Sequence, residues 1–287
     1  MEKRGRLGLV IGSGGLKCAA AVGVMQALEQ ENIPLDMVVG CSGGAVFGGA
    51  IALGYSSDML ADTLSKTWTS KVAKKLDLAS LAKIAFPGLF GFDDQIGIFD
   101  DTVMSASIAR AIGIETTFLD TKIPFHVVAT DFHTGEQVVI SEGSLARALR
   151  ISSGIPVLFK PVEWNGRLLI DGGLSNPLPV DVAIQEGADI IIAIGFETPL
   201  LRSVSSPAGF ASQMFSILVN QLLYKKYAFY NLAYHSEIIS IVPHFEENVP
   251  LNDVDSVPLV IKQGRDETMK HMAYLKQALA SKSLGKS

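Results

Sequence analysis

Short apolar runs that end in glycine alternate with helix-length segments in the first part of the chain. The runs at 7–12 (LGLVIG) and 36–40 (DMVVG) each predict a buried strand. A glycine-containing turn and a helical segment follow each of them, at 18–31 and 44–53. This repeated strand–turn–helix order is typical of a parallel sheet with helices packed on its faces.

The rest of the chain continues the pattern less regularly. Segment 56–84 is predicted to be one helix with its lysines on a solvated face, and 87–99, rich in glycine and aromatic residues, is predicted to be a loop. No internal repeat or long linker interrupts the chain, so residues 1–287 are expected to form one α/β domain with a mostly parallel sheet. Further strands are predicted at 123–130, 137–141, 167–170, 189–196 and 237–242, and further helices at 102–112, 145–153, 209–234 and 268–281.

Segment 209–234 is apolar and aromatic with helical spacing, which leaves two interpretations open. One is a buried or half-buried helix of the core. The other is a surface that faces the substrate or touches a membrane. The second interpretation uses five apolar side chains, those of Phe210, Met214, Phe215, Leu222 and Leu223.

Composition and charge exclude several classes of protein. The chain is 48% hydrophobic, enough to build a sizeable core. Its net charge of −5 comes from mixed acidic and basic residues, which argues against a nucleic-acid partner and against long-range attraction to anionic lipid. The two cysteines, Cys18 and Cys41, fit neither a disulfide framework nor a zinc site, so free thiols in a reducing cytoplasm are expected.

The N-terminus resembles an export signal only in part. Basic residues precede an apolar run, but glycines and Lys17 interrupt that run, so no export is expected. No stretch reaches the ~18 uninterrupted apolar residues that a membrane span needs.

The segment from Gly40 to Gly44 (GCSGG) matches the pattern G-x-S-x-G between a predicted strand and a predicted helix. A serine in that turn is strained, with its hydroxyl above the sheet and close to the positive end of the following helix. Ser42 is therefore a candidate nucleophile. The alternative is a tight turn with a purely structural purpose.

A first glycine turn, which contains Gly12, Gly14 and Gly15, also lies between a strand and a helix. A dinucleotide-binding loop would need a third glycine where Lys17 stands, and a P-loop would need serine or threonine after that lysine. Both nucleotide interpretations therefore fail on spacing. The remaining interpretation is an oxyanion hole, in which backbone N–H groups stabilise developing negative charge.

A nucleophilic serine needs a base. None of the five histidines lies in a glycine-flanked turn, so none is predicted to be catalytic. Asp171 ends a predicted strand and precedes Gly172 and Gly173, which leave its carboxylate uncovered. It is the better candidate, although aspartate followed by glycine is also common in ordinary turns. A base as weak as aspartate suits esters better than amides.

These motifs together resemble the patatin-like phospholipases, specifically their compact bacterial members, over roughly residues 7–196. The resemblance implies a three-layer α/β/α sandwich and lipid acyl hydrolysis by a Ser42–Asp171 dyad, with no metal and no cofactor. It also implies an oxyanion hole at Gly14 and Gly15. Supporting matches lie at 128–131 with 134–135, at 152–156 and at 176–179.

Two positions depart from the family pattern. Lys17 stands where arginine is common, so any anion bound there would meet a point charge instead of a bidentate fork. Cys18 replaces a usual glycine and is expected to narrow the loop. Asp131 is predicted to brace its strand pair. Rival hypotheses are a thioesterase or acyltransferase with the same dyad, a non-catalytic lipid-binding regulator and, least favoured, a nucleotide-binding protein.

Overall fold

The computed structural model describes residues 4–67, 75–197, 200–233, 237–243 and 255–284. Eight strands form one mixed sheet in the order β5-β6-β3-β2-β1-β7-β8, and β4 pairs with β3. The β1–β2, β1–β7, β2–β3 and β7–β8 pairs are parallel, whereas the pairs that involve β4, β5 and β6 are antiparallel. The strands are β1 (Leu7–Ile11), β2 (Met37–Cys41), β3 (Phe125–Asp131), β4 (Gln137–Ile140), β5 (Val162–Trp164), β6 (Arg167–Asp171), β7 (Ile190–Ile194) and β8 (Glu237–Ile241).

Helices cover both faces of this sheet. Three short 3₁₀ helices add to them at Gly15–Ala19, Phe118–Asp120 and Gly172–Leu174. The α-helices of the described residues are α1 (Ala20–Gln30), α2 (Gly43–Ala52), α3 (Ser57–Thr67), α4 (Leu78–Ala85), α5 (Pro87–Phe90), α6 (Asp101–Ile112), α7 (Leu145–Ser152), α8 (Val180–Gln185), α9 (Pro207–Ala233) and α10 (Val257–Leu284).

Alternate residues of the central strands enter two separate cores. Leu9, Ile11 and Val38 join a large core with α1, α2 and α10, whereas Val10 and Val39 join a smaller core with α8 and α9. Side chains alternate between the faces of a strand, so a strand that is apolar throughout must be covered on both faces. The structure confirms the predicted α/β/α sandwich.

Two helices of the larger core, α1 and α10, cross at glycines. A Cβ atom on Gly23 would lie 2.0 Å from the carbonyl oxygen of Ile261, and one on Gly264 would lie 2.2 Å from that of Ala20. The backbones therefore touch directly, which only glycine allows.

Strands β2 and β6 meet end to end beside β3. β2 pairs with β3 up to Val128, and β6 pairs with β3 from Ala129 onward. β4 occupies the other side of the same β3 residues, so β6 must lie on the side of β2, just beyond its end. This arrangement brings the ends of two distant strands, at Cys41 and Asp171, next to each other.

The prediction of a single helix over 56–84 is wrong. Helix α3 is described as far as Thr67, and α4 begins only at Leu78. Leu76 instead forms a β-bridge with Phe99, and the carboxylate of Asp77 caps α4 by accepting the N–H of Ser80 at 2.9 Å. Of the three predicted surface lysines, Lys75 is exposed and paired with Asp100, while Lys71 and Lys74 lie outside the described residues.

Other boundaries also differ from the sequence prediction. The predicted loop at 87–99 begins with the short helix α5, and the predicted helix at 268–281 is the second half of the longer α10. The prediction missed β5 and α8, which span three and six residues. Such short elements give too few periodic positions to be recognised.

Helix α9 combines both interpretations of segment 209–234. Phe215 and Leu223 are buried and Leu222 is half-buried, as a core helix requires. Phe210 and Met214, in contrast, are 62% and 43% exposed. Within the described ranges, no helix is long and apolar enough to cross a bilayer.

Candidate active site

Ser42 occupies a strained turn between β2 and α2. Its φ of 57° and ψ of −127° lie in a region that non-glycine residues rarely adopt, at a cost on the order of 1–3 kcal/mol. The residue is 7% exposed and directly precedes α2, whose first N–H groups have no partner within the helix. The turn therefore has the geometry expected of a nucleophile elbow.

Two serines at the end of α7 hold this strained turn from both sides. The backbone N–H of Ser42 donates to Oγ of Ser152 at 2.8 Å, and Oγ of Ser153 donates to the carbonyl oxygen of Ser42 at 3.2 Å. Ser152 itself donates to the carbonyl oxygen of Val128 at 2.6 Å. These contacts fix the backbone of Ser42 and offset part of its strain.

Glycines around Ser42 let three backbone segments approach closely. A Cβ atom on Gly43 would lie 2.5 Å from the carbonyl oxygen of Gly15, and one on Gly44 would lie 2.3 Å from that of Ile11. The first glycine loop is thereby packed directly against the start of α2. Gly40 is equally confined, with its missing Cβ 2.6 Å from Cα of Ala45.

Asp171 meets Ser42 where β6 ends beside β2. The hydroxyl of Ser42 donates to Oδ2 of Asp171 at 2.8 Å, and the N–H of Gly173 donates to Oδ1 at 2.8 Å. The carboxyl group is fully buried. Burial raises the pKa of Asp171 to about 7, although the N–H of Gly173, the Ser42 hydroxyl and the charge of Arg150 all oppose that rise.

The two glycines that follow Asp171 are also confined, and Gly172 has no room for a side chain. A Cβ atom on Gly172 would lie 2.2 Å from the carbonyl oxygen of Val128, and one on Gly173 would lie 3.0 Å from Oγ of Ser13. The D-G-G sequence therefore lets β6 turn sharply between β3 and the first glycine loop.

Gly14 and Gly15 lie at the start of a 3₁₀ helix, whose first N–H groups have no partner within the helix. Gly15 has a φ of 56°, and the ring of Phe196 covers Gly14 so closely that a Cβ atom there would lie 2.5 Å from it. Gly12 follows β1 and donates its N–H to the carbonyl oxygen of Ile194 at 2.9 Å. The loop is thus held firmly beside Ser42.

Comparison with known proteins gives the family. Residues 9–184 match the family described as patatin-like phospholipase. The chain belongs to the patatin-like phospholipase family. It is 32% identical over 190 residues to an uncharacterised NTE family protein of Mycobacterium bovis, covering 66% of this chain and 48% of that protein. It is also 32% identical over 192 residues to the neuropathy target esterase sws of Drosophila melanogaster, covering 66% of this chain and 13% of that protein.

The chain thus spans about half or less of the length of these relatives. Among solved structures, it is similar to human GIVD cytosolic phospholipase A2 in complex with methyl gamma-linolenyl fluorophosphonate. That match has a TM-score of 0.52 at 9% identity and covers 97% of this chain and 59% of the other. At this identity, the similarity shows the fold alone.

Lys17, the anion-binding candidate of the sequence, is buried in the structure. Its side chain is 4% exposed, and Nζ donates to the carbonyl oxygen of Glu197 at 3.1 Å. Burial lowers the pKa of Lys17, against the opposing charge of Glu197. The buried ammonium of Lys17 thus ties the glycine loop to the segment that follows β7.

Both cysteines are free and buried, as their number and spacing predict. Cys18 donates its thiol to the carbonyl oxygen of Gly12 at 3.3 Å, so it fills space behind the glycine loop. Burial, and secondly the charge of Asp171, raises the pKa of both thiols, which keeps Cys18 and Cys41 uncharged.

The histidines that the structure describes have other partners. His126 is buried on β3 with Nε2 3.8 Å from Glu186, His133 lies 3.8 Å from Asp94, and His271 lies 3.6 Å from Glu267. His235 and His244 lie outside the described residues. Within the described ranges, no group of three histidine, cysteine, aspartate or glutamate side chains could hold a metal ion.

Asp131 braces its strand pair, which agrees with the structural role predicted for it. Its Oδ1 accepts the N–H of His133 at 2.9 Å and that of Thr134 at 3.2 Å, which closes the turn after β3. Its Oδ2 lies 3.7 Å from the guanidinium of Arg167 on β6.

The sequence analysis gave no role to three residues beside the site: Ser152, Ser153 and Arg150. Ser152 and Ser153 fall within a stretch that matches the family pattern, but only the folded chain shows that they hold Ser42. Arg150 lies two residues before Ser152 on α7. The same helix carries the exposed Arg147, and the sequence gives no sign that only one of the two arginines is buried.

Proposed function

We propose that this protein is a serine acyl hydrolase that cleaves carboxylic esters of lipids, with Ser42 as nucleophile and Asp171 as base. The hydrogen bond of 2.8 Å from Oγ of Ser42 to Oδ2 of Asp171 carries the proposal, because it joins a strained serine at the start of α2 to a buried carboxyl group. Membership in the patatin-like phospholipase family supports lipid esters as the substrate class. The free buried thiols support a reducing compartment, the cytoplasm.

In the first half of the reaction, Oγ of Ser42 attacks the acyl carbonyl carbon while its proton passes to Oδ2 of Asp171. The tetrahedral intermediate collapses, the alcohol leaves with the proton from Asp171, and an acyl ester remains on Ser42. In the second half, Asp171 accepts a proton from water as the hydroxide attacks that ester. The fatty acid leaves, and the proton returns to Oγ of Ser42.

The negative charge of the intermediate needs hydrogen-bond donors close to Ser42. We assign that role to the backbone N–H groups of Gly14 and Gly15, because Gly15 is packed against Gly43, the next residue after the nucleophile. The positive end of α2 adds to the stabilisation. Losing one such donor typically reduces the rate by about 10²–10³-fold.

The dyad favours esters over amides. An alcohol leaves the intermediate with little help from an acid, whereas an amine must be protonated as it leaves. Asp171, with a pKa of about 7, is a stronger base than an ordinary carboxylate, and it returns its proton to the leaving alcohol.

We further propose that α9 presents the site to a lipid surface. Its outer side carries Phe210, Met214, Ile217 and Leu218, all at least 38% exposed, at the spacing of one helical face. Its inner side places the ring of Phe215 against Gly173, beside Asp171. Sedimentation with neutral phosphatidylcholine vesicles should weaken when Phe210 and Met214 are changed to serine. The same change at Leu119, which is 96% exposed on another element, should leave binding unaltered.

Hydrolysis of p-nitrophenyl acyl esters and labelling by a fluorophosphonate probe test the dyad. Ser42→Ala should remove the label and lower hydrolysis by at least ~10³-fold. Ser141→Ala, at an exposed serine after β4, should change neither. Single alanine substitutions of His126, His133 and His271 should retain most of the activity.

Each other outcome points to a different function. A folded wild-type protein that takes no label at Ser42 would contradict the hydrolase and favour a non-catalytic lipid-binding regulator. Transfer of the acyl group to an added alcohol, in preference to water, would identify an acyltransferase. Faster turnover of acyl thioesters than of oxygen esters would identify a thioesterase.

A further inference from the structure

Arg150 is an arginine buried in the last turn of α7, and only part of its hydrogen-bonding capacity is used. Its residue exposure is 5%. Nη2 donates to Oδ1 of Asp101 at 2.6 Å and to the carbonyl oxygen of Lys160 at 2.9 Å, and the guanidinium lies 5.6 Å from the ring centre of Phe159. Nε and Nη1 are buried without a hydrogen-bond partner in the part of the chain that the structure describes. Burying donors without partners costs free energy of folding, so the burial of this charge needs an explanation.

Gly154 connects Arg150 to Asp171. The carbonyl oxygen of Gly154 accepts the backbone N–H of Asp171 at 3.0 Å. A Cβ atom on Gly154 would lie 2.6 Å from Nη1 of Arg150, so the guanidinium is packed directly against this glycine. The same turn of chain continues through Ser152 and Ser153, which hold the backbone of Ser42. Arg150 thus supports the segment that contacts both members of the dyad.

We propose that Arg150 is a positioning residue for the reaction: its buried positive charge, held by Asp101 and packed on Gly154, keeps the carboxyl group of Asp171 available as the base. The inference rests on the proposed function of the Ser42–Asp171 pair. It assigns Arg150 no contact with substrate, because its described contacts are with Asp101, Lys160, Phe159 and Gly154.

The electrostatic argument depends on which charges act on Asp171. An arginine side chain carries a positive charge in proteins. The charge of Arg150 lowers the pKa of Asp171 and opposes the larger effect of burial. Among the residues that the structure describes, the thiols of Cys18 and Cys41 also face Asp171, and their raised pKa values keep them neutral. Arg150 is therefore the group whose charge favours the ionised base.

Asp101 offers a test with the opposite sign. Its side chain is 30% exposed, and its negative charge partly neutralises Arg150. Arg150→Met removes the positive charge, so the acid limb of the kcat/KM profile should move to higher pH by about 1 unit. At pH values below the limb, kcat/KM should therefore be roughly tenfold lower than in the wild type. Asp101→Asn keeps a hydrogen-bond acceptor but removes the negative charge, so the acid limb should move downward by a smaller amount. Arg150→Lys keeps the charge and should hold the limb near the wild-type position.

Arg147→Met is the matched control, because it removes the same charge from the same helix. Arg147 is exposed, with its guanidinium 5.6 Å from the ring centre of Trp164, and its loss should leave the profile unchanged. If Arg150→Met does not fold, Asp101→Asn and Arg150→Lys still decide the question.

Opposite shifts for Arg150→Met and Asp101→Asn support the proposal, because a purely structural brace would lower kcat or thermal stability without moving the limb. Unchanged limbs, or shifts in the same direction, would overturn it. Failure of the proposed function is distinguishable from either result, since it would show as wild-type protein that neither hydrolyses esters nor takes the fluorophosphonate label.

Discussion

The hydroxyl of Ser42 donates a hydrogen bond of 2.8 Å to Oδ2 of Asp171, although the two residues are 129 positions apart in the sequence. The contact exists because β6 runs antiparallel to β3 and ends where β2 ends. The residues at the ends of β2 and β6 therefore lie next to each other. The carboxyl group at this junction is fully buried, and its protonation state controls what the pair can do.

The first prediction concerns the pH dependence of hydrolysis. Asp171 must be ionised to accept the proton of Ser42, and burial raises its pKa to about 7. The value of kcat/KM should therefore rise with pH through about 7, and should fall tenfold per pH unit well below that point. Stopped-assay hydrolysis of a neutral acyl ester from pH 5 to pH 9 measures the profile. An acid limb near pH 4 would show that the base is an ordinary exposed carboxylate.

The second prediction concerns stability. The folded-state pKa of Asp171 lies above that of an unfolded aspartate, so the folded protein binds the proton more tightly and loses stability as pH rises from about 4 to about 7. Asp171→Asn is uncharged and keeps an acceptor for the N–H of Gly173. At pH 8 its free energy of unfolding should exceed that of the wild type by up to about 4 kcal/mol, with little difference at pH 4. Urea unfolding at both pH values measures this.

Asp131→Asn is the control of opposite sign. Burial raises the pKa of Asp131, but the N–H groups of Thr134 and His133 and the charge of Arg167 lower it overall. Its ionised form therefore stabilises the fold, and the asparagine variant should be less stable than the wild type at pH 8. If both variants gain stability at pH 8, general relief of negative charge would explain the result, and burial of Asp171 would not.

The third prediction concerns the strained turn of Ser42. Ser152→Ala removes the acceptor of the Ser42 N–H and leaves that buried donor unpaired, at a cost of about 1–3 kcal/mol. The turn should relax, so both the rate of fluorophosphonate labelling and the thermal midpoint should fall. Ser153→Ala breaks a longer bond, of 3.2 Å, to the carbonyl oxygen and should have the smaller effect on labelling. Equal labelling rates in wild type and Ser152→Ala would contradict the role assigned to this clamp.

The sequence was sufficient to predict the sandwich, and it singled out Ser42 and Asp171, which the structure joins by a hydrogen bond. Fully apolar strands such as β1 and β7 predicted two covered faces, and the glycines around Ser42 and Asp171 marked the turns where chains approach. Both signals are local, since a strand pattern or a G-x-S-x-G turn can be read within a few residues.

The parts that could not be predicted depend on long-range packing. The antiparallel pairing of β6 with β3 gives no signal in the short run of residues 167–171. The sequence suggested that Lys17 could bind an anion. In the structure its ammonium group instead donates to the carbonyl oxygen of Glu197, beyond the end of β7, and this contact depends on long-range packing that the sequence does not reveal. The break between α3 and α4 depends on the bridge between Leu76 and Phe99, which periodicity does not reveal.

The fourth prediction concerns the crossing of α1 and α10. In an isolated helix, alanine in place of glycine is favourable by about 1 kcal/mol. At Gly264 the new methyl group would instead lie 2.2 Å from the carbonyl oxygen of Ala20, which is backbone and cannot rotate away. Overpacking of this kind typically costs about 1–3 kcal/mol, so Gly264→Ala should lower the free energy of unfolding despite the gain in helix propensity.

Gly88→Ala is the control for that change, because no atom lies within 4 Å of its missing Cβ. It should leave the midpoint of urea unfolding unchanged or slightly higher. A Gly264→Ala variant as stable as the wild type would show that the two helices can separate at little cost, and that direct backbone contact is not what holds α10 on the sheet.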